Sequence, residues 1–171
     1  SVASRGLGDV YKRQQDTRIS IRGFGTRAPF GIRGIKILLD GIPITTPDGQ
    51  SQLDHIPQSI IGDIEVIRGI SSGLYGNASG GVIMIKSIPL KKRFYNSISF
   101  ADFNTKQIDL LIDNQSENGQ VRFGFEHKKS LGYRKWSGHE NSILYLSGKK
   151  IIFNDKTIKF NYSLFNSPFA A

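Results

Sequence analysis

The chain has 171 residues, no cysteine and a formal net charge of +9. Its length suits one domain or two small ones, and the lack of cysteine excludes a disulfide framework and thiolate metal sites. Hydrophobic residues make up 38% of the chain, and no apolar run approaches the roughly eighteen residues that a membrane-spanning helix needs.

Residues 1–14 (SVASRGLGDVYKRQ) have no hydrophobic period and lack the charged and apolar regions of a secretory signal, so they are expected to be a non-native or disordered leader. Thr17–Arg22 alternates Ile19 and Ile21 with polar residues and predicts a half-buried strand. The stretch Gly23 to Gly31 holds a loose GxGxxA pattern at Gly23, Gly25 and Ala28, but Pro29 and Gly31 deny it the helix that dinucleotide binding requires. It reads as a loop. Ile35–Asp40 is a second strand, closed by an Asp40-Gly41 turn, and Thr45–Gln50 is a polar turn of the Pro-Asp-Gly type. Leu53–Gly62 is expected to be a helix of about two turns, with Pro57 near its start and Gly62 at its stop.

The following stretch, Glu65 to Ile85, opens and closes as strands and carries Gly69, Gly73, Gly76, Gly80 and Gly81 between them. So many glycines imply positive φ angles or close backbone approaches, and Leu74 with Tyr75 implies packing against a large surface. A glycine loop can also cradle a phosphate. The P-loop string is missing, however, and a strand rather than a helix follows Gly81. A hairpin loop in a soluble β domain remains open. Asp63 and Glu65 share one strand face beside Arg68 and read as structural. With no cysteine nucleophile and no GxSxG elbow, no catalytic residue is expected.

After Pro89 the pattern changes to five strand-like segments: Asn96–Phe103, Lys106–Asn114, Gln120–Lys128, Asn141–Ile151 and Thr157–Phe165. The last is the cleanest, with Ile158, Phe160, Tyr162 and Leu164 alternating with polar residues. Lengths of about eight to eleven residues, with short and long connections, suit either tilted membrane strands or a soluble antiparallel sandwich. Residues 89–171 carry thirteen basic against seven acidic residues. That excess is spread over strands and turns, which argues for a solvated surface rather than a nucleic-acid face; on an outer-membrane barrel it would also suit lipopolysaccharide phosphates. His55, His127 and His139 match no metal-ligand spacing.

The string RGISSGLYGNASGGVI (Arg68 to Ile83), with Leu39-Asp40-Gly41-Ile42-Pro43 upstream, resembles the plug domain of TonB-dependent outer-membrane receptors, from about Arg18 to Ser87. The resemblance implies an α+β plug domain (a small mixed sheet with one or two short helices) over residues 15–88. Antiparallel strands of a truncated transmembrane β-barrel, its first five or so, would follow over 89–171. In such receptors the plug fills a barrel of about 22 strands, apical loops touch a scarce ligand, usually a ferric siderophore, and TonB supplies energy. The implied location is the bacterial outer membrane, in contact with its lipid, with no cofactor and no nucleic acid. The TonB-recognition segment is expected to lie outside this sequence, which reads as an internal stretch of a longer protein. Ligand contacts are expected from Arg27 and Phe30 in the first loop and Asp48, Gln50 and Gln52 in the second. Arg22 and Arg68 match family arginines that lock plug to barrel, while Gly69, Tyr75, Gly76, Gly80 and Gly81 serve packing and loop geometry. The competing reading is a soluble basic β-rich module that binds nucleic acid or polysaccharide.

Overall fold

The computed structural model describes residues 19–26, 31–69, 72–76, 78–89, 91, 93–117, 119–132, 137–152 and 156–168. The leader 1–14 and the loop residues Arg27 and Phe30 lie outside the described residues. Two compact units result: residues 1–54 with 61–88, and residues 55–60 with 89–171.

The first unit is built on a four-stranded mixed sheet. Its strands are β2 (Ile35–Leu39), β3 (Ile42–Pro43), β5 (Ile61–Arg68) and β6 (Gly81–Ser87), in the order β3-β2-β6-β5. The pair β2–β6 is parallel and the other two pairs are antiparallel. Apolar β2 and β6 take the central positions, where Ile35, Ile37, Leu38, Leu39, Val82, Ile83 and Ile85 are buried. A two-residue turn at Asp40-Gly41 joins β2 to β3, and both residues have positive φ, as that hairpin type demands. Asp40 is also a brace: its Oδ1 accepts the amide of Ser87 at 2.8 Å. Two further short strands, β1 (Ile32–Arg33) and β4 (Gln50–Ser51), pair antiparallel outside this sheet.

The glycine-rich connection between β5 and β6 contains one helical turn, α1 (Ser72–Tyr75). Tyr75 packs on the cluster of Leu38, Ala78 and Val82. Leu74 does not share its fate and is 87% exposed, contrary to the sequence expectation of packing for both. The glycines at the far end are dictated by space. A Cβ on Gly80 would lie 2.6 Å from Cβ of Phe24, and one on Gly81 (φ +135°) would lie 2.4 Å from the carbonyl oxygen of Ile67.

Two other expectations are corrected. Leu53–Gly62 is not a two-turn helix; a single 3-10 turn, Gln58–Ile60, precedes the start of β5 at Ile61. Proline at 57 brings no amide, and the β-branched pair Ile60-Ile61 favours the extended chain that follows. Arg22 does not end a strand. Ile21 and Phe24 exchange both backbone hydrogen bonds at 3.0 Å, so Arg22-Gly23 forms the tip of a tight turn with φ of 51° and 86°.

The second unit is an antiparallel meander of five strands: β7 (Arg93–Ala101), β8 (Thr105–Ser116), β9 (Gly119–Ser130), β10 (His139–Ile152) and β11 (Lys156–Asn166). All five expected strands are present and longer than the sequence suggested. One boundary moves inward, since Phe103 belongs to the turn 102–104 and has positive φ. The sheet is open, with β7 and β11 at its edges. Register places Ile112, Phe123, Leu146 and Tyr162 in one row across β8 to β11, and Leu110, Phe125, Leu144 and Leu164 in the next. This apolar face is turned outward: Phe94, Ile98, Phe100, Ile158 and Phe160 are exposed.

The opposite face is the more buried one. On it Asp109, Asp113, Arg122, Glu126 and Ser147 are buried beside Leu111, Ile143 and Tyr145. Arg122 and Asp113 face each other in register and form a two-pronged pair, Nε to Oδ1 at 2.7 Å and Nη2 to Oδ2 at 2.9 Å. Segment 55–60 lies against this face, where the amide of Gln58 donates to Glu126 Oε2 at 2.9 Å. Gly124 leaves room beside Ile60.

Gly81→Ala is expected to speed amide hydrogen exchange in β5 and β6 by the equivalent of about 2 kcal/mol, because neither the φ angle nor the space suits a Cβ. Unchanged exchange would contradict that packing. Arg122→Met leaves a buried carboxylate without its guanidinium and is expected to cost roughly 3–5 kcal/mol in urea unfolding from lipid. A loss under about 1 kcal/mol is what an exposed pair would give.

Candidate ligand-binding site

The second predicted loop is a tightly tied turn. The amide of Thr46 donates to the carbonyl of Gln50 at 2.8 Å, and the amide of Gly49 donates to the carbonyl of Thr46 at 2.9 Å. The Thr46 hydroxyl lies in hydrogen-bond reach of both the Gln50 carbonyl, at 2.8 Å, and the Asp48 carboxylate. Below the turn, Thr45 Oγ1 accepts the amide of Ile37 at 3.0 Å and meets Ser51 Oγ at 2.7 Å. These bonds hold the loop on β2, so its outer residues stand on a fixed base.

The β1–β4 pairing then brings the end of the first loop to the second. Ile32 faces Ser51 and Arg33 faces Gln50. Gly31, with φ of 62°, makes room for the Gln50 side chain; a Cβ there would lie 2.6 Å from Gln50 Nε2. Gln50 is therefore half-buried against Gly31, while Asp48 and Gln52 are exposed. The Asp48 carboxyl is held below the usual carboxylate range. The Thr46 hydroxyl contributes most, then the Gln50 amide, with a smaller pull from the Arg33 charge.

Three of the five expected contact residues are thus placed, and Gln50 and Asp48 share one turn. Arg33 was missed by sequence reasoning. It is exposed, stands opposite Gln50 and lies just beyond the loop that sequence defined as ending at Gly31. Nothing local distinguishes it; only the long-range pairing of β1 with β4 does. Arg22 and Arg68 are both exposed, one on the Ile21–Phe24 turn and the other at the end of β5, facing Gly81 in register. The carboxylates Asp63 and Glu65 sit around Lys86, at 4.0 and 3.2 Å, rather than beside Arg68. Among the described residues, no group of three or more His, Asp or Glu side chains is arranged to hold a metal ion.

A small mixed-sheet unit with tied loops is thus followed in the chain by an antiparallel meander with one outward apolar face, the pattern of outer-membrane barrel strands. Residues 4–82 match the family described as "TonB-dependent Receptor Plug Domain". The chain is 34% identical over 103 residues to the vitamin B12 transporter BtuB of Vibrio vulnificus strain YJ016, covering 57% of this chain and 17% of that protein. Among solved structures, the ferric yersiniabactin uptake receptor FyuA from Yersinia pestis superposes with a TM-score of 0.62 at 16% identity, over 88% of this chain and 25% of that one. The siderophore receptor PirA from Pseudomonas aeruginosa gives 0.60 at 20% identity, over 95% and 33%. At such identities these structures speak to the fold alone. The chain therefore carries a TonB-dependent receptor plug followed by strands of the barrel type, and it belongs to the outer membrane. It spans about a sixth of the length of the curated relative.

Because the folded Asp48 titrates below its ordinary value, its contribution to the turn is present above that value and lost as pH falls through the lowered one. Replacing Thr46 with valine is expected to raise the Asp48 titration midpoint toward the ordinary carboxylate range, read by carboxyl NMR chemical shift. An unmoved midpoint would show that the Thr46 hydroxyl is not the cause.

Proposed function

We propose that this chain is part of a receptor that takes up a scarce ligand across the outer membrane, a ferric siderophore, with energy supplied through TonB. The observation that carries the reading is the β1–β4 pairing, which sets Arg33 of one loop beside Gln50 and Asp48 of the other on a braced base. A guanidinium fork with amide and carboxamide dipoles suits an anionic, oxygen-rich iron chelate. Asp48 is tied into its turn and shapes the loop as much as it could face a ligand. Gln52 and Arg33 offer exposed heads, and Arg27 and Phe30 complete the contact set from the first loop.

Arg22 and Arg68 serve on this reading as locks between plug and barrel wall, for which both have exposed heads. Gly69, Tyr75, Gly76, Gly80 and Gly81 hold the loop that joins β5 to β6. The protein acts as a receptor and transporter rather than an enzyme; the paired carboxylates Asp63 and Glu65 are engaged with Lys86. A corrinoid ligand is the second reading, favoured by the identity with vitamin B12 transporters.

Uptake by cells with and without the full gene separates the two. Labelled ferric siderophore is expected to accumulate only with the gene, and labelled cobalamin to accumulate equally in both. The reverse pattern would establish the corrinoid reading. Arg33→Ala and Gln50→Ala are each expected to weaken ligand binding roughly tenfold or more, as loss of a charge-assisted or buried hydrogen bond does. Full affinity in both variants would remove this site from consideration.

A further inference from the structure

Residues 55–60 belong with the strands of the second unit, although the residues on either side of them belong to the first, and the chain returns to the second unit after Ile88. Residues 61–88 are therefore tied to the second unit at both ends, through the 60–61 link and the 88–89 link. The described residues before 55 are tied to it through the 54–55 link alone.

The segment between these links is a built clasp. Ile60, Pro57 and Ile56 are all buried. Ile60 sits over the missing side chain of Gly124: a Cβ there would lie 3.8 Å from Ile60 Cγ2, 3.7 Å from Leu111 Cδ1 and 3.6 Å from Tyr145 Cβ. Leu111 and Tyr145 are themselves buried, so the socket has close-packed walls. Beside this apolar knob, the Gln58 amide donates to Glu126 Oε2 and gives the clasp a directional bond. Downstream, Ile61 pairs with Ser87, and the ladder shifts register before Asp63. Gly62 lies so close to Ile88 that a Cβ would be 2.9 Å from its amide nitrogen.

The sheet of the first unit divides at the same point in the chain. In the order β3-β2-β6-β5, the strands that precede the clasp lie on one side and the strands that follow it lie on the other. Their junction is the five-residue parallel pairing of β2 with β6, and parallel pairing is slightly less stable per residue than antiparallel. Leu38 packs on Ala78 and Val82 across it. Three further bonds cross the same junction. The Asp40 amide donates to the Ile85 carbonyl at 2.9 Å, the Ser87 amide to Asp40 Oδ1 at 2.8 Å, and the Gly80 amide to the Gly34 carbonyl at 2.8 Å.

We infer that segment 55–60 is the fixed anchor of the plug, and that the plug opens by parting β2 from β6. Strands β1 to β4 leave together, while the clasp holds and the β5–β6 hairpin stays paired. This order of opening rests on the reading of the chain as a plug that has to clear a path. It is measured without any ligand, so its failure is distinct from a failure of siderophore or corrinoid uptake.

The test is native-state hydrogen exchange on the intact receptor in phospholipid vesicles, under rising but sub-denaturing urea. The amides of Asp40, Gly80 and Ser87 report the junction, the Gln58 amide reports the clasp, and the ladder amides of β5 report the hairpin. The three junction amides are expected to exchange together, and the Gln58 and β5 amides about tenfold more slowly or slower still. Gly124→Phe, which fills the socket, is expected to bring Gln58 exchange level with the junction. Gly124→Ala adds a methyl that meets only ordinary contacts and should leave the order unchanged. Exchange of Gln58 with or before the junction in the wild type would overturn the anchor. So would a single step that exposes junction, clasp and hairpin at once, which marks a plug that opens whole. Full Gln58 protection in a folded Gly124→Phe receptor would show that the socket does not hold the segment.

Discussion

Hydrocarbon offers no hydrogen bonds, so every amide and carbonyl of a spanning chain has to find its partner within the protein. The inner strands β8, β9 and β10 meet that constraint through continuous antiparallel register on both sides. From β7 to β11 each strand faces its neighbour residue by residue without a bulge, and β7 and β11 carry the open edges. Once the ladder is fixed, the alternation of side chains fixes everything else about the sheet. One face collects Phe, Ile, Leu and Tyr and turns them outward. The other buries Asp109, Asp113, Arg122 and Glu126 among Leu111, Ile143 and Tyr145. A water-soluble sandwich would distribute these faces the other way, with the aromatic side inward. The orientation found here is the inversion that a lipid solvent requires.

Burying charge on the inner face is tolerable only with geometry to match. Arg122 and Asp113 supply it through two parallel hydrogen bonds between residues that are direct cross-strand neighbours. Glu126, two rows away on the same face, receives the Gln58 amide from the short segment 55–60. That segment is flanked in sequence by the plug sheet, yet it packs with the strands. The plug sheet solves a different problem. Its central strands are buried apolar chains, and its loops are held by backbone bonds, hydroxyl bridges and glycines that admit close approach, so that Arg33, Asp48 and Gln50 come together on a stiff support.

Much of this was legible in the sequence where a local period carried it. Ile158, Phe160, Tyr162 and Leu164 mark β11 by alternation alone. The strand ends were set too short because Lys156, Ser130 and Asn166 are polar and give no alternation to follow. The Asp40-Gly41 hairpin was legible from turn chemistry. The helix expected over Leu53–Gly62 was not there, because a partner distant in sequence, Glu126, captures the Gln58 amide and the chain extends at once into β5. The helical turn at Ser72–Tyr75 was hidden because it contains Gly73 and stops at Gly76. Arg33 was invisible for the same reason that β1 and β4 were: two-residue strands have no period, and only their mutual pairing reveals them. The family resemblance found the plug, but it could not by itself say which loop residues meet.

The central claim is that the aromatic face of the strands meets lipid while the alternate residues do not. A nitroxide scan along β11 from Lys156 to Asn166, with the intact receptor in vesicles, tests it most directly. Labels at 158, 160, 162 and 164 should be relaxed strongly by dissolved oxygen and weakly by a water-soluble nickel chelate, and labels at 159, 161 and 163 should show no such lipid preference. A scan without period two, or one with the two sets exchanged, would contradict the account.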